Sequence, residues 1–164
     1  TRQSFNGSPQ MKDALYVSHV EGEPEPEPEL PDGAVMAKIT FADQGYANAE
    51  SVDGVKISLD ENVSVVFRQA NASTAPAYYD SGSAIRMYQN GSTLDVNANG
   101  KTITNIELGF SNSMYYVDAN CGTLSEEALV RTWTGEATDV KFTCTGTDKN
   151  HRAYVAYIKV TYLN

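Results

Sequence analysis

The chain has 164 residues and a formal net charge of −9, a length that suits one domain of ordinary size. Glu21, Glu23, Glu25, Glu27, Glu29 and Asp32 carry six of the negative charges, and residues 33–164, with ten basic and fourteen acidic side chains, show no basic patch. That balance argues against a nucleic-acid partner, and no run approaches the ~18 apolar residues of a membrane span.

Residues 1–20 form a lead in which "MKDALYVSHV" reads as a single strand. Twenty residues cannot bury a core alone, so the lead is expected to be the tail strand of an upstream domain or a strand that docks on the main one. The chain begins with Thr1, not Met, and is expected to be cut from a longer precursor. The stretch 21–32, "EGEPEPEPELPD", is a spacer. Its prolines remove backbone donors and fix φ, each residue before a proline is pushed to extended geometry, and the like charges repel. In polyproline II geometry it reaches roughly 30 Å.

From Gly33 onward the pattern is β. "AVMAKITF" places Val35, Ala37, Ile39 and Phe41 on one face. "VKISL" and "VSVVFRQ" follow, with Ile57 and Leu59, then Val63, Val65 and Phe67, pointing inward. "SAIRMY" sets Ile85 and Met87 against Arg86 and Tyr88 on the opposite face, and "QNGS" then carries an Asn-Gly signal for a hairpin with "STLDV", whose Leu94 and Val96 point inward. After a second Asn-Gly turn in "NANGK" come "TITNIELGF", with Ile106, Leu108 and Phe110, then "EALVRTWTG" and "VKFTCTG", with Val140, Phe142 and Cys144 on one face. The chain ends on "AYVAYIKVTYL", where Tyr154, Ala156, Ile158, Val160 and Tyr162 alternate.

About nine strands with Gly/Asn turns and no convincing helix imply an all-β fold, an antiparallel sandwich or barrel. Strongly alternating first and last strands over this length suit a jelly roll better than an immunoglobulin-like sandwich, which needs fewer residues. Cys121 and Cys144 are the only cysteines. They read as two separate small core residues, with a disulfide as the alternative in an exported protein.

The segments "PAYYDSGSAIRMY", "WTGEATDVKFT" and the terminal "HRAYVAYIKVTY" resemble a C-terminal β-sandwich module of exported, often lipid-anchored surface proteins of Bacteroides-type gut bacteria. The likeness runs over about residues 34–163. It implies a galactose-binding-like jelly roll, glycan binding or surface adhesion, and an extracellular or outer cell-surface location.

Catalytic chemistry finds few candidates. Ser–His catalysis needs a histidine that reaches a hydroxyl and a carboxylate. His151, three residues after Asp148, is the only histidine of the main domain, and it also fits an exposed loop. Glycosidases need two carboxylates at set separations, which a sequence with many acids cannot identify. No cofactor is expected. The one metal candidate is a structural Ca²⁺ held by Asp43, Asn48, Glu50 and Asp53 in "FADQGYANAESVDG", because hard oxygens suit that ion; the same residues also fit a plain polar loop.

Sugar binding needs exposed rings to stack on C–H faces and Arg, Asp or Asn to bond the hydroxyls. Tyr78, Tyr79, Arg86, Tyr88, Tyr115, Tyr116, His151 and Arg152 supply that chemistry. The same tyrosines also suit ordinary strand positions, and Trp133 reads as core. The expected function is a non-catalytic surface module that binds carbohydrate or host-surface glycan within a larger exported protein. The alternatives are a structural or adhesive sandwich that takes a protein partner by strand addition, and a fragment of a sugar-acting hydrolase.

Overall fold

The computed structural model describes residues 30–164. The lead segment and most of the spacer read above fall outside the described residues. Among the described residues, thirteen strands form two antiparallel sheets. They are β1 (Ala34–Thr40), β2 (Glu50–Ser51), β3 (Lys56–Ser58), β4 (Ser64–Arg68), β5 (Ala77–Tyr79), β6 (Ala84–Met87) and β7 (Thr93–Asn97), followed by β8 (Thr102–Tyr115), β9 (Val117–Ala119), β10 (Thr123–Leu124), β11 (Val130–Ala137), β12 (Asp139–Cys144) and β13 (Ala153–Leu163). No helix among them is long and apolar enough to cross a membrane.

The smaller sheet runs β9-β12-β7-β4-β3, and the larger runs β10-β11-β8-β13-β6-β5-β2 with β1 also paired to β13. The chain passes repeatedly from one sheet to the other, as from β6 to β7 to β8 and from β11 to β12 to β13. This is the connectivity of a double-sheet jelly-roll sandwich. The four strands beyond the nine read from the sequence are β2, β5, β9 and β10, of two or three residues each. Runs that short carry no alternation to detect.

The core lies between the sheets. In the smaller sheet Val65, Val96 and Val140 share one cross-strand row, and Phe67, Leu94 and Phe142 the next. In the larger sheet Ile39, Ile158 and Leu108 form one row, and Ala37, Val160, Ile106 and Trp133 another. All are buried, and each large aliphatic or aromatic side chain so removed from water stabilises by roughly 1.5–3 kcal/mol. Trp133 sits fully inside and donates its indole N–H to the Cys121 carbonyl at 2.6 Å. Gly122 and Gly135 leave the space its ring occupies, since a Cβ at either would meet it within 2.7 Å.

Two sequence expectations are corrected here. β6 and β7 do not form a hairpin: they belong to opposite sheets, and Asn90-Gly91 carries the chain between them. Both residues take positive φ, 69° and 112°, and the Asn90 amide donates to Gly146 of another loop. Asn-Gly permits a reversal, but Ile85, Met87, Leu94 and Val96 all face one core from its two sides, and that burial separates the strands. The second correction concerns β13. Ala156 is an extra residue opposite β8, where Val155 pairs with Phe110 and Tyr157 with Gly109. This bulge shifts the phase, so Ala153 and Val155 join Ile158, Val160 and Tyr162 in the core, and Tyr154 turns to the outer face.

The cysteines also divide. Cys144 is buried, and burial pushes its thiol pKa up, whereas Cys121 is exposed rather than in the core. Both thiols are free.

Candidate functional site

The outer face of the larger sheet carries a second, smaller cluster. Arg86 on β6 stands opposite Tyr154 on β13, and Tyr79 on β5 lies beside them. The Arg86 guanidinium carbon is 3.9 Å from the centre of the Tyr79 ring and 4.7 Å from that of Tyr154, a cation–π arrangement with two rings. Its Nε is buried with no hydrogen-bond partner among the described residues. Arg152, just before β13, lies over the Tyr88 ring at 4.6 Å, donates from Nε to Gln89 at 2.7 Å, and approaches the Tyr154 hydroxyl at 3.4 Å. Burial, reinforced by the Tyr79 hydroxyl, raises the Tyr88 pKa, and Arg86 opposes that shift.

The cluster continues at the end of the sandwich. Tyr115 and Tyr116 stack with centroids 4.7 Å apart and 15° between planes, and the His151 ring stands at 89° to Tyr116 at 4.6 Å. His151 Nδ1 is 2.7 Å from Asp148 Oδ1, and the two side chains are 44% and 54% exposed. Asp148 also accepts from the Asn150 amide. That bond first, and His151 second, hold its carboxyl below the usual range. The Tyr115 hydroxyl is the main cause of a raised pKa at Tyr116. A backbone hydrogen bond from Tyr116 N–H to the Arg152 carbonyl, 3.1 Å, ties the two parts together.

Local backbone explains why these residues meet. Between the pairs Ala153–Tyr115 and Val155–Phe110, β8 makes an excursion in which Asn112 and Ser113 both take φ of 57°. It delivers Tyr115 and Tyr116 to the sheet end beside β13. Arg131 fastens this corner: Nε donates to the Ser125 carbonyl at 2.9 Å, and one terminal nitrogen donates to the carbonyls of Tyr115 and Val117 at 3.2 and 2.9 Å. Gly146 lets the 145–152 loop close on itself, because a Cβ there would overlap the His151 carbonyl.

Seven of the eight residues chosen from the sequence for sugar chemistry therefore gather in one cluster: Tyr79, Arg86, Tyr88, Tyr115, Tyr116, His151 and Arg152. Tyr78 does not join them. It is 5% exposed, pairs with Ile85 on the core face and packs on Tyr46. Tyr88 does not present an open ring either, being 6% exposed beneath Arg152. Sequence reading missed Arg131, Tyr154 and Gln89 as parts of the site, and noted Asp148 only as the acid three residues before His151. Arg131 did leave a signal, since it alternates in phase with the core residue Trp133 and so had to turn a charge inward. Tyr154 left none, because the bulge that reverses its face has no sequence mark.

The proposed calcium ligands are spread along a polar stretch. Asp43 closes the 3₁₀ turn Phe41–Asp43. Asn48 accepts from the Asp80 amide, Glu50 from that of Ala47, and Asp53 from that of Gln69. Among the described residues, no three His, Cys, Asp or Glu side chains are placed to hold a metal ion. A separate polar hollow of about 140 Å³ opens on the smaller sheet between Lys56, Asp60, Glu61, Asn62, Asn97 and Asn99.

Among solved structures, the family 32 carbohydrate-binding module of NanJ from C. perfringens, in complex with galactose, matches 79% of this chain and 93% of its own at 16% identity, with a TM-score of 0.36. A likeness of that size lends nothing to the assignment of a ligand. No family model matches the chain, and no curated protein matches its sequence.

Proposed function

We propose that the sandwich is a non-catalytic carbohydrate-binding module and that its contact surface is the Tyr115–Tyr116–His151 ring group with Asp148, Arg152, Arg86 and Tyr79 around it. The observation that supports this most is convergence: residues from four separate stretches, 79, 86–88, 115–116 and 151–152, meet in one cluster. Two parallel rings and one perpendicular ring make a corner for the apolar face of a sugar. The Asp148 carboxylate and the guanidinium N–H groups can accept from and donate to its hydroxyls. An extracellular or outer-surface location goes with this reading.

A glycan array probed with the full chain tests it. Saturable binding that Tyr116→Ala abolishes is the expected result, and no binding across broad glycan classes by folded protein overturns the proposal. A second reading, capture of a protein strand, is favoured by β1. Among the described residues this seven-residue strand has one ladder partner, β13, and it exposes Met36. A main-chain partner could add at its other edge. Replacing Ile39 with Pro would damage the core, so Lys38→Pro is the variant to compare in a pull-down against a strand-forming peptide.

A further inference from the structure

Four arginines lie among the described residues, and they are satisfied differently. Arg68 is 3.4 Å from Asp95, and Arg131 is occupied by three backbone carbonyls. Arg86 and Arg152 have no carboxylate within ion-pair distance among the described residues, although fourteen acids are available in residues 33–164. Both guanidinium groups touch Tyr154, one over its ring and one at its hydroxyl. Two like charges held against one ring repel each other. Tyrosine faces offset part of that cost, and Arg86 keeps a buried Nε without a partner. Both side chains remain partly open to solvent. Asp148, the acid beside the ring corner, is engaged by His151 and the Asn150 amide.

Planar guanidinium forks match the paired oxygens of a carboxylate or a sulfate. We propose that Arg86 and Arg152 form a clamp for an anionic group carried on a saccharide, so that the ligand class is an acidic glycan bearing carboxylate or sulfate. This rests on the carbohydrate-binding reading above and specifies it. The ring corner at Tyr115 and Tyr116 would take the sugar face, and the clamp would take the charge. In a chain of net charge −9, such a site attracts its ligand only at short range, and its affinity falls as salt is raised.

Calorimetric titration of the full chain with matched pairs tests the proposal. One pair is an oligogalacturonate and its methyl ester; the other is a sulfated oligosaccharide and its desulfated counterpart. At least one charged member is expected to bind about tenfold or more tighter than its neutral partner, about 1.4 kcal/mol. The pair that shows the difference identifies the source of the charge. Arg86→Gln and Arg152→Gln should each bring the ratio toward one, whereas Lys56→Gln, on the other sheet, should leave it in place. If Arg86→Gln does not fold, Arg86→Lys keeps the charge without the fork and should lower the ratio partway. Equal binding of both members, or binding of neutral sugars alone, overturns the acidic-ligand inference and leaves carbohydrate binding standing. No saccharide binding by folded protein overturns both.

Discussion

Tyr157, on the outer face of the larger sheet, and Tyr116, at the end of the sandwich, are both half-buried, yet their rings are engaged differently. Tyr157 lies across Gly109, where a Cβ would overlap its ring, and donates to Glu107 at 2.5 Å under the ammonium of Lys38. Burial, with Glu107 second, pushes its pKa up to about 12. A phenol that stays protonated longer in the folded state contributes stability that is complete below its unfolded pKa of about 10 and is lost as pH rises through the folded value. Thermal melts between pH 9 and 12 should therefore show an alkaline loss that Tyr157→Phe reduces; an unchanged pH profile in the variant would contradict that role. Tyr116 stacks on Tyr115 and meets the partly exposed imidazole of His151 edge-on. Tyr116→Ala should cost little stability, within about 0.5–1 kcal/mol, while abolishing glycan binding.

At the scale of elements, alternation located the long strands and their inward residues well, because one face of each meets the core. It failed where the pattern depends on pairing. Asn90-Gly91 looked like a hairpin turn and proved to be a link between sheets, because the turn chemistry says that the chain reverses and not which neighbour each strand takes. The Ala156 bulge put Tyr154 on the outer face against the simple alternation. The candidate site was legible in residue type, through tyrosines and arginines on strands and loops alike, but not in its fastening. Arg131 is the clearest case. Arg131→Gln would leave carbonyls of Ser125, Tyr115 and Val117 without a donor, at a cost of roughly 1–3 kcal/mol. Chemical denaturation should show that loss, and ligand affinity should fall with it although Arg131 lies outside the proposed contact surface. A variant as stable as the parent would show that the corner is held by its backbone alone.

For the molecule as a whole, the core rows and the covering rings all lie within residues 30–164, and Pro31–Asn164 forms its own compact unit. A chain of residues 30–164 should melt cooperatively, with a midpoint within a few degrees of the full chain; loss of the transition would mean that residues 1–29 complete the sandwich. An amide ¹H–¹⁵N titration of the full chain with the strongest saccharide from the array asks whether the tyrosine and arginine cluster is the contact surface for a sugar. Saturable shifts gathered at residues 79–88, 114–117 and 148–154 are expected. Shifts gathered instead at the Lys56–Asn62 hollow, or none with any saccharide, would contradict that assignment.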